Sequence, residues 1–378
     1  MSEYKPVGGK LLTKPFLFLL GLAVIAGFIL IRRFLFGLGA VTNLSDGYPW
    51  GLWIVYDVLT GTAIACGGYA MALVVYVFNR GHYHPLIRPA IMTSMFGYTL
   101  AAASIVIDVG RYWQLYNVFL PWHVNLNSIM FEIAFCVASY VVVLWIEFSP
   151  TFLEKWRLAR GQKIADRILF VFIALGVLLP TMHQSSLGTL MIIAGDKLSP
   201  LWQSSWLPVT YLISAIAMGY GMVILESLFA SVGLKRPLET GILTRLARFM
   251  PALLGLYLFI RYCDLISRGA LGLAFAGDFR SFMFLLETLL FAFPVIFLSI
   301  PKYRTRNSWL LLTGIAIVLA GALYRFNAYV IGFDPGPGWH YFPSVGELLV
   351  TVGIIAVEIM AYLIFVKRLP VLPKLEHA

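Results

Sequence analysis

Three ionisable side chains, Asp57, Glu132 and His183, stand inside long apolar runs, and that setting gives them chemistry. His183 belongs to a polar word, Pro180-Thr181-Met182-His183-Gln184-Ser185-Ser186-Leu187-Gly188-Thr189-Leu190, with the hydrocarbon of Ile168 to Leu179 before it and Met191 to Ala194 after it. A titratable group at such a place has no bulk water, so the protein must supply a partner or a cavity. An imidazole there can donate a hydrogen bond or carry a proton; the plainer reading is a histidine bonded to a neighbouring helix. Asp57 lies about two turns into its run, among Trp53, Ile54, Val55, Val58 and Leu59, and requires a partner. Glu132, between Phe131 and Ile133, suits a proton carrier. Asp108 and Arg111 are three apart and share a helix face; they form either an ion pair at a helix end or a partner for Asp57. His123, Gln184 and Ser185 add donors and acceptors to this group. A second set, Arg261, Asp264, Glu287 and Arg325, echoes the first with the order of charge reversed. Glu147, Glu226 and Glu358 stand apart, and Glu226, Glu358 and Tyr98, with Tyr69 and Tyr220, offer a proton path or, as readily, structural anchors beside basic loops.

These residues must be carried by membrane helices. Of 378 residues 60% are hydrophobic and 12% charged, which excludes an ordinary soluble domain. About 20 apolar residues cross a bilayer as a helix, and on that rule the chain has ten spans: 15–36, 51–78, 87–112, 122–148, 165–194, 206–231, 243–267, 281–300, 308–331 and 345–366. The first run follows lysines but ends at Arg32-Arg33 without a small-residue cleavage site, so it reads as a retained helix and not a signal peptide. Pro180 predicts a kink or broken end in the fifth span. The stripe Gly61, Ala65, Gly68, Ala72 predicts close helix packing. Twenty lysines and arginines fall on the side of the amino terminus, six on the other, and Arg261 and Arg325 inside spans. That bias predicts cytoplasmic termini and an even number of spans in a multi-pass inner-membrane protein. On this topology Asp57, Asp108, Arg111, His123, Glu132 and His183 all lie toward the outer face. The echo between halves predicts an all-α polytopic protein, one integral membrane domain over 1–378. It would hold two four-helix bundles, 51–194 (spans two to five) and 206–331 (spans six to nine), with spans one and ten peripheral.

Other classes are excluded by composition and spacing. The net charge of +10 is spread between spans and forms no basic domain, so nucleic acid is not a partner and membrane lipid is. Cys66, Cys136 and Cys263 lack the close spacing of metal or iron–sulfur ligation, and no metal site is expected. A membrane b-type haem normally takes two facing histidines; His82, His84, His340 and His377 fall in loops or the tail, and His123 is too near the surface to pair with His183.

The segments Pro49-Trp50-Gly51-Leu52-Trp53-Ile54, Ile107-Asp108-Val109-Gly110-Arg111-Tyr112-Trp113 and Pro180 to Leu190 resemble the NrfD, or polysulfide-reductase, membrane-subunit family. Phe78-Asn79-Arg80-Gly81, Phe119 to Asn127, Leu273 to Phe279 and Tyr341-Phe342-Pro343 extend the likeness, within that family, to membrane subunits of type 2 periplasmic uptake NiFe-hydrogenases, sometimes called b-type cytochromes. The resemblance implies a bacterial inner-membrane subunit without haem or iron–sulfur cluster. It would take electrons from a periplasmic ferredoxin-like iron–sulfur subunit, itself fed by the hydrogenase large and small subunits, and pass them to menaquinone or ubiquinone. His183, Glu132 and Asp57 would then serve quinone reduction, supported by Asp108, Arg111, His123, Gln184 and Ser185. The competing readings are a b-type cytochrome and a proton channel or secondary transporter; the latter predicts broken helices and polar residues at mid-depth.

Overall fold

A computed structural model describes residues 4–237 and 239–373; Lys374 and His377, both used above, lie outside them. The chain is an all-α polytopic membrane protein. Ten helices are long and apolar enough to cross a bilayer: Lys14–Phe36, Trp53–Val77, Gly81–Asp108, Ile129–Lys155, Ala159–Ile193, Leu207–Leu234, Thr240–Ser267, Phe279–Ser299, Asn307–Ile331 and Val345–Arg368. Local chemistry sets many of their ends. Ser128 caps the fourth helix by accepting from Phe131 N, and Asp278 caps the eighth by accepting from Ser281 N. The tenth begins with a reciprocal capping box between Ser344 and Glu347. Proline opens the first and sixth, where its missing N–H costs nothing, and within the seventh Pro251 opens the segment Met250–Ser267 that follows the break after Ala247.

Several helices depart from the regular spans expected from sequence; the third runs over Gly81–Asp108 rather than 87–112. The fourth starts at Ile129 rather than near 122, because Pro121 to Asn127 turn instead of coiling and Ser128 supplies the cap. The fifth runs as one α-helix of 35 residues straight through Pro180, so the expected broken end is absent. The second is irregular along most of its length: it is π-helical over Trp53–Thr60, α-helical over Gly61–Ile64 and Gly67–Ala72, and π-helical again over Leu73–Val77, and the ninth also ends in a π-helical segment, Asn327–Ile331. Asp57 sits on the first π-helical segment, a widened turn that recurs at functional sites.

Packing divides the chain into two compact units. One comprises 1–62, 91–179 and 335–378, the other 63–90 and 180–334. This boundary passes through the second, third and fifth helices and so differs from the division between helices expected from sequence. In the first unit the first helix packs along the tenth, and the segments that flank these two helices are tied together. Tyr4–Lys5 pairs antiparallel with Leu372–Pro373, Val7 N donates to Val366 O, and Gly8 N to Lys367 O. In the second unit small residues set the helix spacing. A Cβ at Gly219 would meet Cys66 O at 2.5 Å, and one at Gly188 would meet Leu207 O at 2.5 Å. Close approach is thus built at Gly67, Gly188 and Gly219, Gly67 being one residue from the stripe expected at Gly68.

Candidate functional site

In the first unit, helices two, three and ten bring Asp57, Ser104, Asp108 and Thr351 together. Ser104 and Asp108 are one turn apart on the third helix, and Glu347 and Thr351 one turn apart on the tenth, so each pair shares a face. All four side chains are buried, Asp57 to 6% and Thr351 to 6% exposure. The hydroxyls of Ser104 and Thr351 are turned toward the Asp57 carboxylate, and Asp108 and Glu358 lie within its electrostatic range. Asp57 Oδ2 and Asp108 Oδ1 are left without a close hydrogen-bond partner. Buried polar atoms are ordinarily paired, so two orphaned carboxylate oxygens mark this as a candidate site.

Beside this chamber Glu347, Tyr341 and Arg33 are well bonded. Glu347 is 1% exposed; its Oε1 accepts from Tyr341 Oη at 2.6 Å, and its Oε2 accepts from Ser344 N at 2.9 Å and Asn43 N at 3.0 Å. Burial first, and the bond to Glu347 second, push the Tyr341 phenol up, which keeps it a donor. Its oxygen also accepts from Leu52 N at 2.6 Å, just ahead of the π-helical segment that carries Asp57. The cation beside Asp108 is Arg33, from the last turn of the first helix. Arg33 donates through Nε to Ile107 O and through Nη2 to Val109 O, both at 2.6 Å, and stacks on Phe34 and Tyr112. It thereby closes the carbonyl end of the third helix, where positive charge is favoured.

The second unit holds two further polar groups. His183 is 1% exposed, and beside it Gln184 Oε1 accepts from Arg325 Nη2 at 3.3 Å. Arg325, wholly buried, also donates to Gly321 O at 3.0 Å and to Ser214 Oγ at 3.3 Å, and its guanidinium faces the Tyr211 ring. Elsewhere Glu287 accepts from Asn327 Nδ2 at 2.7 Å, Trp202 Nε1 at 2.9 Å and Tyr257 Oη at 3.2 Å, while Arg261 Nη2 stands 3.9 Å from its Oε1.

Several expectations are corrected by this geometry. Arg111 is exposed and pairs with neither Asp57 nor Asp108; the buried cation there is Arg33, whose position beside Arg32 at the end of a span reads in sequence only as topology. Glu132 is half-buried in the first turn of the fourth helix and not deep within it, and His123 is exposed in a turn outside the helix, both because that helix begins seven residues later than expected. Ser185 spends its hydroxyl on Thr181 O and Met182 O of its own helix, as mid-helix serines do, which removes it from a pocket. Arg261 and Asp264 do not pair: Asp264 binds Arg268 at 2.6 Å, and Arg261 faces Glu287. Of the residues set apart as a proton path, Glu226 and Tyr98 are buried and Glu358 half-buried. The tenth helix supplies Glu347 and Thr351, neither singled out from sequence; Glu347 carries the same signal as Asp57, a carboxylate inside an apolar span, while Thr351 is marked only by its spacing of four from it.

Comparison with known proteins adds to this geometry. Residues 40–332 match the family model for polysulphide reductase, NrfD. The chain is 45% identical to the probable Ni/Fe-hydrogenase 2 b-type cytochrome subunit of Escherichia coli, over 99% of this chain and 96% of that one. It is 26% identical to the integral membrane subunit of a menaquinone reductase of Nitratidesulfovibrio vulgaris, over 89% and 86% of the two chains. It is 24% identical to the integral membrane subunit of an Hdr-like menaquinol oxidoreductase of Archaeoglobus fulgidus, over 88% of each.

Proposed function

The chain belongs to the polysulphide reductase, NrfD family, and from that premise we propose that it is the quinone-reactive membrane subunit of a hydrogen:quinone oxidoreductase. In this reading it does not activate hydrogen. NiFe-hydrogenase large and small subunits do so, a periplasmic ferredoxin-like iron–sulfur subunit relays the electrons, and this chain delivers them with protons to menaquinone or ubiquinone. Identity over nearly the whole length to a hydrogenase 2 subunit supports the complex, and relatives named for menaquinone and menaquinol support the substrate. The charge bias supports cytoplasmic termini in an inner membrane.

The observation that carries the residue assignment is Asp57, a buried carboxylate with an unbonded oxygen on a widened helical turn. Reducing a quinone takes two electrons and two protons, and each proton must arrive through a titratable group at membrane depth. Asp57 supplies one such group, with Asp108 beside it and Arg33 fixing the helix end from which Asp108 projects. His183, anchored in a separate packing unit next to the Gln184–Arg325 bond, is proposed on its own surroundings as a hydrogen-bond donor to a carbonyl oxygen. Glu132, in the first turn of its helix, is placed to admit protons and not to hold one in the interior.

A b-type haem, named for the hydrogenase 2 relative, does not fit the residues present. Among the described residues His183 is buried while His82, His84, His123 and His340 are exposed, so no facing imidazole pair is formed. The deciding experiment compares hydrogen-dependent quinone reduction in membranes with and without this chain, alongside dye reduction by the hydrogenase. Loss of the first with the second intact is expected; quinone reduction that persists at full rate without the chain would refute the assignment.

A further inference from the structure

Two segments singled out in the sequence, Pro49 to Ile54 and Tyr341-Phe342-Pro343, lie far apart along the chain and meet in the first unit. Glu347 joins them. Its carboxylate is 1% exposed, and a charge so buried is tolerated where donors meet it. Three do: Tyr341 Oη at 2.6 Å on Oε1, with Ser344 N at 2.9 Å and Asn43 N at 3.0 Å on Oε2. The one proton of the Tyr341 hydroxyl thus points at Glu347, which leaves the hydroxyl oxygen to accept, and it accepts from Leu52 N at 2.6 Å. The next residue is held as well, since the Trp53 indole Nε1 donates to the main-chain oxygen of Glu347 at 3.1 Å.

Both contacts fall at the entry of the π-helical Trp53–Thr60 segment, where main-chain N–H groups have no partner within the helix. Asp57 follows Trp53 by four residues, about one turn. Isolated π-turns are rare, so what grips the start of one sets the direction of the side chains that follow. Room for the grip is made by Gly51, where a Cβ would collide with the Tyr341 hydroxyl. Glu347 also completes the capping box of the tenth helix, but that box needs Ser344 alone. The arm through Tyr341 to Leu52 is additional to it.

We propose that Glu347, acting through Tyr341, is a positioning residue for Asp57: it fixes the entry of the widened turn and with it the direction in which the Asp57 carboxyl presents a proton. The inference rests on the quinone-reactive reading of the chain, in which Asp57 supplies that proton.

The test uses membranes that hold the full chain with its hydrogenase partners, with rates normalised to inserted chain by immunoblot. Tyr341→Phe removes the hydroxyl and keeps the ring, and Glu347→Gln removes the charge at nearly the same shape. Gly51→Ala drives a methyl group into the place of the hydroxyl and alters neither partner. In each, kcat for hydrogen-dependent reduction of a short-chain quinone should fall about tenfold with KM unchanged, as for an interaction felt only in the transition state. The rate should also drop further on transfer to D2O than in the unaltered chain, because proton delivery has become limiting; a mere loss of folded protein would not change that ratio. Tyr341→Phe combined with Glu347→Gln should be no slower than the worse of the two, since both cut one arm. Ser344→Ala, which loses the capping hydroxyl and leaves the arm, should keep the unaltered kcat. A readout without quinone is amide hydrogen exchange in the peptide that holds Leu52, which should quicken in Tyr341→Phe. Unchanged exchange there would overturn the proposal, as would a fall in Ser344→Ala as large as in Tyr341→Phe. Full kcat in Tyr341→Phe and Gly51→Ala beside an inactive Asp57→Asn would overturn the positioning and leave the quinone reading standing. Full kcat in Asp57→Asn would overturn the role of Asp57 and the positioning with it.

Discussion

At the scale of single residues, the protein is marked by charges it keeps buried. Asp57, Asp108 and His183 were legible in the sequence because an ionisable letter inside twenty apolar ones has few explanations. Arg33 was not, because an arginine at the end of a span is what membrane topology already predicts; only the third dimension turns it onto Ile107 O and Val109 O. Two outcomes follow at this scale. Asp57→Asn and His183→Ala should each cut hydrogen-dependent quinone reduction by at least about tenfold while hydrogen-to-dye activity stays unchanged, since each removes a proton-handling group worth roughly 10²–10⁴ in rate. Normal quinone rates in both, with the chain present at wild-type level by immunoblot, would place the chemistry elsewhere. Arg33→Met should lower the thermal stability of the solubilised chain, because two carbonyls at a helix end lose charged donors worth about 1.5–3 kcal/mol each; Arg33→Lys should recover only part, lacking the two-pronged reach. An unchanged melting curve in Arg33→Met would mean that the capping contacts contribute nothing.

At the scale of elements, the existence of ten helices was plain from hydropathy, but their ends and regularity were not. A shift of seven residues at the fourth helix was enough to move Glu132 to a first turn and His123 into a turn, because Ser128 caps and the preceding proline and asparagines do not coil. The π-helical second helix gave no warning, since its composition is that of any apolar helix and its geometry depends on packing. Partner choice was equally hidden: Arg261 and Asp264 share a face by spacing, but Glu287 and Arg268 come closer in space. Where side chains vanish, prediction becomes firm. Gly219 leaves 2.5 Å between a would-be Cβ and Cys66 O, which is main chain and cannot swing aside. Gly219→Val should therefore destabilise the protein by more than the roughly 1–3 kcal/mol of ordinary overpacking, seen as a fall in membrane-inserted protein on expression. Gly233→Ala, where nothing stands within 4 Å, is the matched control and should be neutral. Equal yields from the two variants would contradict the close approach.

At the scale of the whole molecule, charge distribution was the most legible property, because lysine and arginine counts need no geometry. Reporter fusions that separate cytoplasm from periplasm should place the 156–158 loop on the same side as both termini; a fusion at residue 157 that reports the opposite side would break the alternation of spans. The division into packing units was not legible, since it runs through the second, third and fifth helices and no composition change marks 62, 90 or 179. The pairing of Tyr4–Lys5 with Leu372–Pro373 has a consequence of its own. Segments paired edge to edge share a compartment: Tyr4–Lys5 and Leu372–Pro373 lie on the same side of the membrane, whichever side that is, with no appeal to charge. Residues 5 and 372 could then be joined by a short linker and the chain reopened at the exposed Pro337–Gly338 turn, and the circularly permuted protein should insert and retain its fold.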